Sequence, residues 1–165
     1  DSRATGFYLY GYLLESRVYA YNGATILNID EWIDSIQQLQ PQNIYIAFGM
    51  NDIKNNLNNT SNGSYSQLLS EQIKKILNVC PQANIYVNSI IPASQSVTQS
   101  NSDLWSQIDV YNAQIQQACQ DNGWTYIDNS SLVQDQSEPI YESDGIHFVS
   151  SFYEKGVRNI MGVLE

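Results

Sequence analysis

Short apolar runs and amphipathic stretches alternate along this chain. Arg17-Val18-Tyr19-Ala20-Tyr21, Asn43-Ile44-Tyr45-Ile46-Ala47-Phe48, Asn84 to Ile90 and Trp124-Thr125-Tyr126-Ile127 are rich in β-branched and aromatic residues and end near glycine or asparagine, the pattern of strands. Between them, apolar residues recur near the helical period: Ile33, Ile36 and Leu39; Leu68, Leu69, Ile73, Ile76 and Leu77; then Leu104, Ile108, Tyr111, Ile115 and Ala118. Two more helices are expected, from Thr5 to Leu14 and from about Ser150 to Leu164. Near-continuous apolar strands separated by helices imply a parallel sheet covered on both faces. The expected fold is therefore α/β, a three-layer α/β/α sandwich with a parallel, flavodoxin-like sheet.

In such sheets ligands gather beyond the carboxyl ends of the strands. Gly23 follows the first expected strand, Gly49-Met50-Asn51-Asp52 follows the second, and Asp144-Gly145-Ile146-His147 precedes the last helix. Two polar segments, Lys54 to Ser64 and Ser94 to Ser102, read as structureless, substrate-facing loops on the same rim.

Composition narrows the chemistry. A chain of 165 residues suits one domain with a sizeable core. Its 7 basic and 17 acidic residues leave a net charge of −10, which repels phosphate backbones and anionic membrane surfaces, so nucleic acid is excluded as a partner. No apolar stretch approaches the roughly 20 residues of a membrane-spanning helix, and the first residues have no basic-then-apolar leader pattern. Cys80 and Cys119 lie in no metal-binding spacing and read as two buried thiols, and no cofactor is implied.

His147 is the only histidine, and Asp144 stands three residues before it. A histidine takes and returns protons near neutrality, and an adjacent carboxylate fixes its tautomer. Residues three apart on a turn share a side, so Asp144 can reach one ring nitrogen while the other faces a nucleophile. Ser2, behind Asp1, is the candidate nucleophile. A serine used this way stands on a sharp strand-to-helix turn, so an apolar strand ending in glycine is expected just upstream of Asp1. Taken singly, each feature has a plainer reading: Asp144-x-x-His147 as a surface turn, Gly49 to Asp52 as a strand-ending turn, Ser2 as a frayed end. Their joint order points to acyl transfer.

Asp1-Ser2, Gly23, Gly49-Met50-Asn51-Asp52 and Asp144-Gly145-Ile146-His147 resemble, in order and spacing, the four sequence blocks of the SGNH hydrolases, the GDSL esterase and lipase family. Tyr10 to Val18 and Asn22 to Ile26 further resemble bacterial, Firmicute members found in cell-surface proteins, some attached to membrane acyltransferase domains. The first block departs from the pattern: its leading glycine is absent, and Arg3 stands where the family's name has leucine. The resemblance implies one SGNH-type domain, part of a longer chain and extracellular or cell-surface. Ser2 would be the nucleophile, His147 the general base and Asp144 its orienting partner. The N–H groups of Ser2 and Gly23 and the Asn51 amide would form the oxyanion hole. The implied reaction is serine-esterase hydrolysis, or transfer, of a small acyl group such as acetyl on a carbohydrate. The polar rim favours a hydrated substrate, and Trp105 and Tyr141 are candidate rings for it. Asp52 is expected to cap the following turn and Arg3 to pair with a nearby carboxylate. The rival reading is a non-catalytic carbohydrate-binding or scaffold module that keeps the fold.

Overall fold

The computed structural model describes residues 1–59, 63–133 and 139–162. Its helices are α1 (Gly6–Leu9), α2 (Ile33–Leu39), α3 (Met50–Lys54), α4 (Tyr65–Val79), α5 (Gln95–Ser100), α6 (Ser102–Trp105), α7 (Gln107–Asn122) and α8 (Ser150–Gly162). Three strands, β1 (Asn43–Ile46), β2 (Asn84–Asn88) and β3 (Thr125–Ile127), lie side by side in that order, all parallel. The register pairs Ile44 with Ile85, Ile46 with Val87, and Val87 with Tyr126.

A sequential parallel order has a geometric consequence. Crossovers between parallel strands are right-handed, so two crossovers that advance in one direction place their helices on one face. Helices α4 and α7 accordingly pack against each other, and α2 joins α4 beside them. Alternation along the strands turns Ile46, Ile85 and Val87 into this layer, where they meet Leu68, Leu69, Ile73 and Ile115 in the main core. Helix α4 starts cleanly because Ser64 and Gln67 form a capping box, and α7 stops at Gly123, whose φ is 73°.

The opposite face is covered near the two ends of the sequence, with Leu132 and Val133 beside them. There α1 and α8 enclose a smaller cluster of Ile140, Phe148, Phe152 and Tyr153. A cavity of about 80 Å³, lined by Ala4, Phe7, Ala47, Gly156 and Ile160 among others, lies between these helices and the sheet. Farther down, Tyr45 and Tyr86 stack with ring centroids 4.8 Å apart, and Tyr45 remains 36% exposed.

Three sequence expectations change. Arg17–Tyr21 is not a strand: Glu15–Arg17 makes one 3₁₀ turn, and Tyr19 and Tyr21 pack on Trp32 at 6.1 and 5.9 Å. The aromatic content that imitates a strand serves instead to attach this segment to the flank of α2. The helix expected over Thr5–Leu14 is only α1, entered from a 3₁₀ turn at Ser2–Thr5 and stopped at Gly11, whose φ is 79°. The supposed loop Ser94–Ser102 is helical, as α5 and the start of α6 broken at Asn101. Of the other rim segment, Leu57–Asn59 forms a 3₁₀ turn and residues 60–62 lie outside the described residues, as do 163–165 beyond α8. Both cysteines are buried free thiols, and burial pushes the Cys119 thiol up to about 11. No helix among the described residues is long and apolar enough to cross a membrane.

Candidate active site

The two chain ends meet at the carboxyl edge of the sheet. Ser2 Oγ lies 3.1 Å from His147 Nε2, and His147 Nδ1 lies 2.6 Å from Asp144 Oδ2. With Nδ1–H donating to the carboxylate, Nε2 keeps a lone pair for the serine proton. The His147 and Asp144 side chains are 40% and 47% exposed, so the pair is open to an incoming molecule.

Local structure explains how each side chain is presented. Asp1 Oδ1 accepts from the Arg3 amide at 3.1 Å and Thr5 Oγ1 donates to the Ser2 carbonyl at 2.6 Å, which together wind Ser2–Thr5 into a tight turn. His147 stands on a small hairpin: Tyr141 bridges Phe148, Glu142 N donates to His147 O at 2.8 Å, and Val149 N donates to Ile140 O at 3.1 Å. Gly145, at φ 68°, turns the tip, and its carbonyl accepts from Ser94 N at 2.8 Å. A side chain at Gly145 would run into Ser94 and Val97, so glycine is required by both backbone angle and space. Asp144 closes the hairpin through its other oxygen, which accepts from the Ile146 and His147 amides at 2.8 and 2.9 Å. The hydrogen bond from His147, then those two amides, hold the Asp144 carboxyl down at about 2.

Asn51 and Gly23 stand on the other side, built on the dense core. Gly49, at φ 141°, lets the chain turn from β1 into α3 where a β-carbon would strike Ile90, and this fixes Asn51 in the first turn of α3. The Asn51 amide donates to the Ala24 carbonyl at 3.0 Å, joining it to the residue after Gly23. Asp52, fully buried, accepts from the Ile26 amide at 2.9 Å and from the Tyr65 hydroxyl at 3.2 Å. It therefore pins the distant Gly23–Ile26 turn rather than the turn that follows it, and burial raises its carboxyl above the usual carboxylate range.

Other sequence expectations are redirected. Among the described residues Arg3 pairs with no carboxylate; its guanidinium donates to the backbone carbonyls of Ile146, Ile91 and Pro92 and lies over the Phe148 ring at 4.6 Å. Trp105 is buried at 7% exposure within the main core, under the Lys54 ammonium, and offers only part of its surface to a cleft. Tyr141 is half-buried, its hydroxyl donating to Pro92 O at 2.9 Å and its ring set against Phe148. Neither ring stands free as a stacking platform. Sequence reasoning missed Tyr153, whose hydroxyl donates to the Arg3 carbonyl at 2.8 Å; only its place on the inner stripe of α8 could have signalled it.

Beside the site, past Ile91 and Pro92, a cleft of about 470 Å³ runs between α5, α7 and the segment after β3. Gln99, Ser102, Asp109 and Asp128 contribute polar groups to its wall, with Ile90 and Val133 among its apolar ones. Among the described residues no group of three or more His, Cys, Asp or Glu side chains could hold a metal ion.

Comparison with known proteins agrees with this architecture. An 86% span of the chain superposes on 70% of a Bacteroides fragilis protein provisionally classed as an acylhydrolase, with a TM-score of 0.64 and 20% identity. A GDSL-like lipase of Bacteroides thetaiotaomicron gives 0.63 at 17% identity, over 86% of this chain and 71% of that one. The acetylxylan esterase Axe2 of Geobacillus stearothermophilus gives 0.61 at 13% identity, over 84% and 67%. At these identities the likeness is one of fold. No curated protein matches the chain. Residues 3–155 match the GDSL-like lipase/acylhydrolase family, and this chain therefore belongs to that family of ester hydrolases.

Proposed function

We propose that the protein is a serine esterase that works through an acyl-enzyme and removes a small acyl group, most simply acetyl, from a carbohydrate. The single observation that carries this reading is the unbroken relay from Ser2 Oγ to His147 Nε2 at 3.1 Å and from His147 Nδ1 to Asp144 at 2.6 Å. In the first step His147 takes the Ser2 proton as Oγ attacks the ester carbonyl, and Asp144 stabilises the imidazolium without itself taking a proton. The developing oxyanion is met by the N–H groups of Ser2 and Gly23 and by the Asn51 amide, each such donor contributing about 3 kcal/mol at the transition state. The imidazolium then protonates the departing sugar oxygen. A water, or a second sugar hydroxyl in the transfer variant of the reaction, repeats the sequence in reverse on the acyl-enzyme.

The substrate class rests on the cleft. Its carboxylates and side-chain amide accept and donate to hydroxyls, and Asp109 and Asp128 disfavour an anionic ligand. That an acetylxylan esterase shares the fold supports this reading by analogy.

Hydrolysis of p-nitrophenyl acetate and acetate release from acetylated xylan test the proposal. Ser2→Ala and His147→Ala should each lower kcat by about 10⁴-fold or more while the proteins stay folded. Undiminished turnover in Ser2→Ala would refute the nucleophile, and a wild-type protein that binds acetylated xylan without releasing acetate would favour a binding module.

A further inference from the structure

Ser2 and His147 are 145 residues apart, and a hydroxyl and an imidazole react only if two separate loops hold a common position. The contact that joins those loops is Arg3. From the residue next to Ser2, its Nε donates to Ile146 O at 2.9 Å, and its guanidinium carbon sits 4.6 Å from the centre of the Phe148 ring. Ile146 and Phe148 are the two neighbours of His147, so one side chain grips the histidine from both sides along the chain. The remaining nitrogens donate to Ile91 O and, at 3.3 Å, to Pro92 O, beyond the end of β2. The Arg3 carbonyl is itself fixed by the Tyr153 hydroxyl of α8.

The chemistry of this arrangement is specific to arginine. Arg3 is 9% exposed and its guanidinium makes no ion pair among the described residues, an unfavourable burial that lowers it to about 10. Three carbonyls from two segments compensate by accepting along the fork of a planar cation. An apolar residue of the same size would leave those carbonyls unmet, and a lysine, donating from one point, cannot span them.

We infer that Arg3 is a positioning residue: it latches the serine turn to the histidine hairpin and to the Ile91–Pro92 segment, and so sets the distance over which the proton moves. This rests on the reading of Ser2 and His147 as the reacting pair. A displacement of about 1 Å at such a pair costs roughly 100-fold in rate, and that is the loss expected in kcat for Arg3→Met and Arg3→Lys.

The experiment compares both variants with wild type and Ser2→Ala. On p-nitrophenyl acetate, well below the melting temperature, kcat should fall about 100-fold with KM little changed. Amide exchange at Ile146 and His147 should quicken about tenfold or more, because the hairpin has lost the outside contact that flanks His147. A role confined to stability would lower the melting temperature and leave kcat and these two amides unmoved; that result overturns the inference. So does an Arg3→Lys enzyme with wild-type kcat, since it would show that charge alone suffices. If Arg3→Met does not fold, Arg3→Lys carries the test, and failure of both to fold refutes a role limited to positioning. Should Ser2→Ala retain full activity, the reading of the pair falls, while the exchange data still report whether the latch exists.

Discussion

The two faces of the sheet are built by different means. On the α4 and α7 side, residues such as Ile73 and Ile115 are almost wholly buried in one continuous core. On the α1 and α8 side, four buried residues, an 80 Å³ cavity and an exposed tyrosine stack take its place. The site straddles the boundary. Gly23 and Asn51 are carried by the dense side through Asp52, whereas Ser2 and His147 are carried by the thin side through individual hydrogen bonds. The proposed oxyanion donors are thus anchored through a buried carboxylate next to the main core, and the pair proposed to exchange a proton is set by contacts on the thinner side. The difference teaches that stability and catalytic alignment should be separable here by mutation.

The largest expected effect breaks the dense side. Ile73→Ala removes a fully buried side chain from the α4 layer and should cost about 2–5 kcal/mol in denaturant unfolding. Ile160→Ala, beside the existing cavity and already half-buried, should cost under about 1 kcal/mol. Equal costs would show that the two faces are packed alike.

Next comes the joint between core and site. Asp52→Ala leaves the buried Ile26 amide and Tyr65 hydroxyl without their acceptor, a loss of roughly 1–3 kcal/mol. Because the same carboxylate pins the Gly23 turn, kcat on an activated acetate should also fall by about 10-fold or more, out of proportion to KM. A destabilised protein with wild-type kcat would detach Asp52 from the donors proposed for the oxyanion.

How much of this is legible in the sequence depends on how strictly packing imposes a period. The helices α4 and α7 and the strands β1 to β3 were visible because a dense core imposes strict apolar periods. Ser2, Gly23, Asn51, Asp144 and His147 were visible through residue type and order, and the structure brings Ser2, His147 and Asp144 within hydrogen-bond reach. Segments outside those elements read differently: Arg17–Tyr21 has strand-like residues that pack on Trp32 beside α2, and Thr5–Leu14 has helical residues cut short by Gly11. Arg3 and Asp52 bond mainly to backbone atoms far along the chain, and a backbone carbonyl or amide carries no mark of its partner in the letters of a sequence.

Two glycines give a smaller test of the thin side. Gly156, inside α8, has room for a β-carbon, which would meet Phe7 at an ordinary 3.7 Å, so Gly156→Ala should stabilise by about 0.5–1 kcal/mol through helix propensity. Gly6→Ala should destabilise, since its β-carbon would collide with the buried Tyr153 ring and disturb the hydroxyl that holds the Arg3 carbonyl. Thermal melts of the two variants should move in opposite directions, with kcat reduced only in Gly6→Ala.

The smallest expected effect is local and concerns acid. Asp144 has its carboxyl depressed from 3.8 to about 2 by the His147 hydrogen bond and by the Ile146 and His147 amides. A group whose folded value is depressed contributes stability above its unfolded value, and that contribution is lost as pH falls through the folded one. The hairpin should therefore hold its shape above about pH 4 and loosen between there and about pH 2. Because the side chain is 47% exposed, solvent screening keeps the contribution to global stability small. The change belongs instead to the Ile146 and His147 amide resonances, which should shift across that window in the wild type and stay flat in Asp144→Asn. Identical titration of the two proteins would mean that another carboxyl controls the hairpin, and with it the orientation of the imidazole.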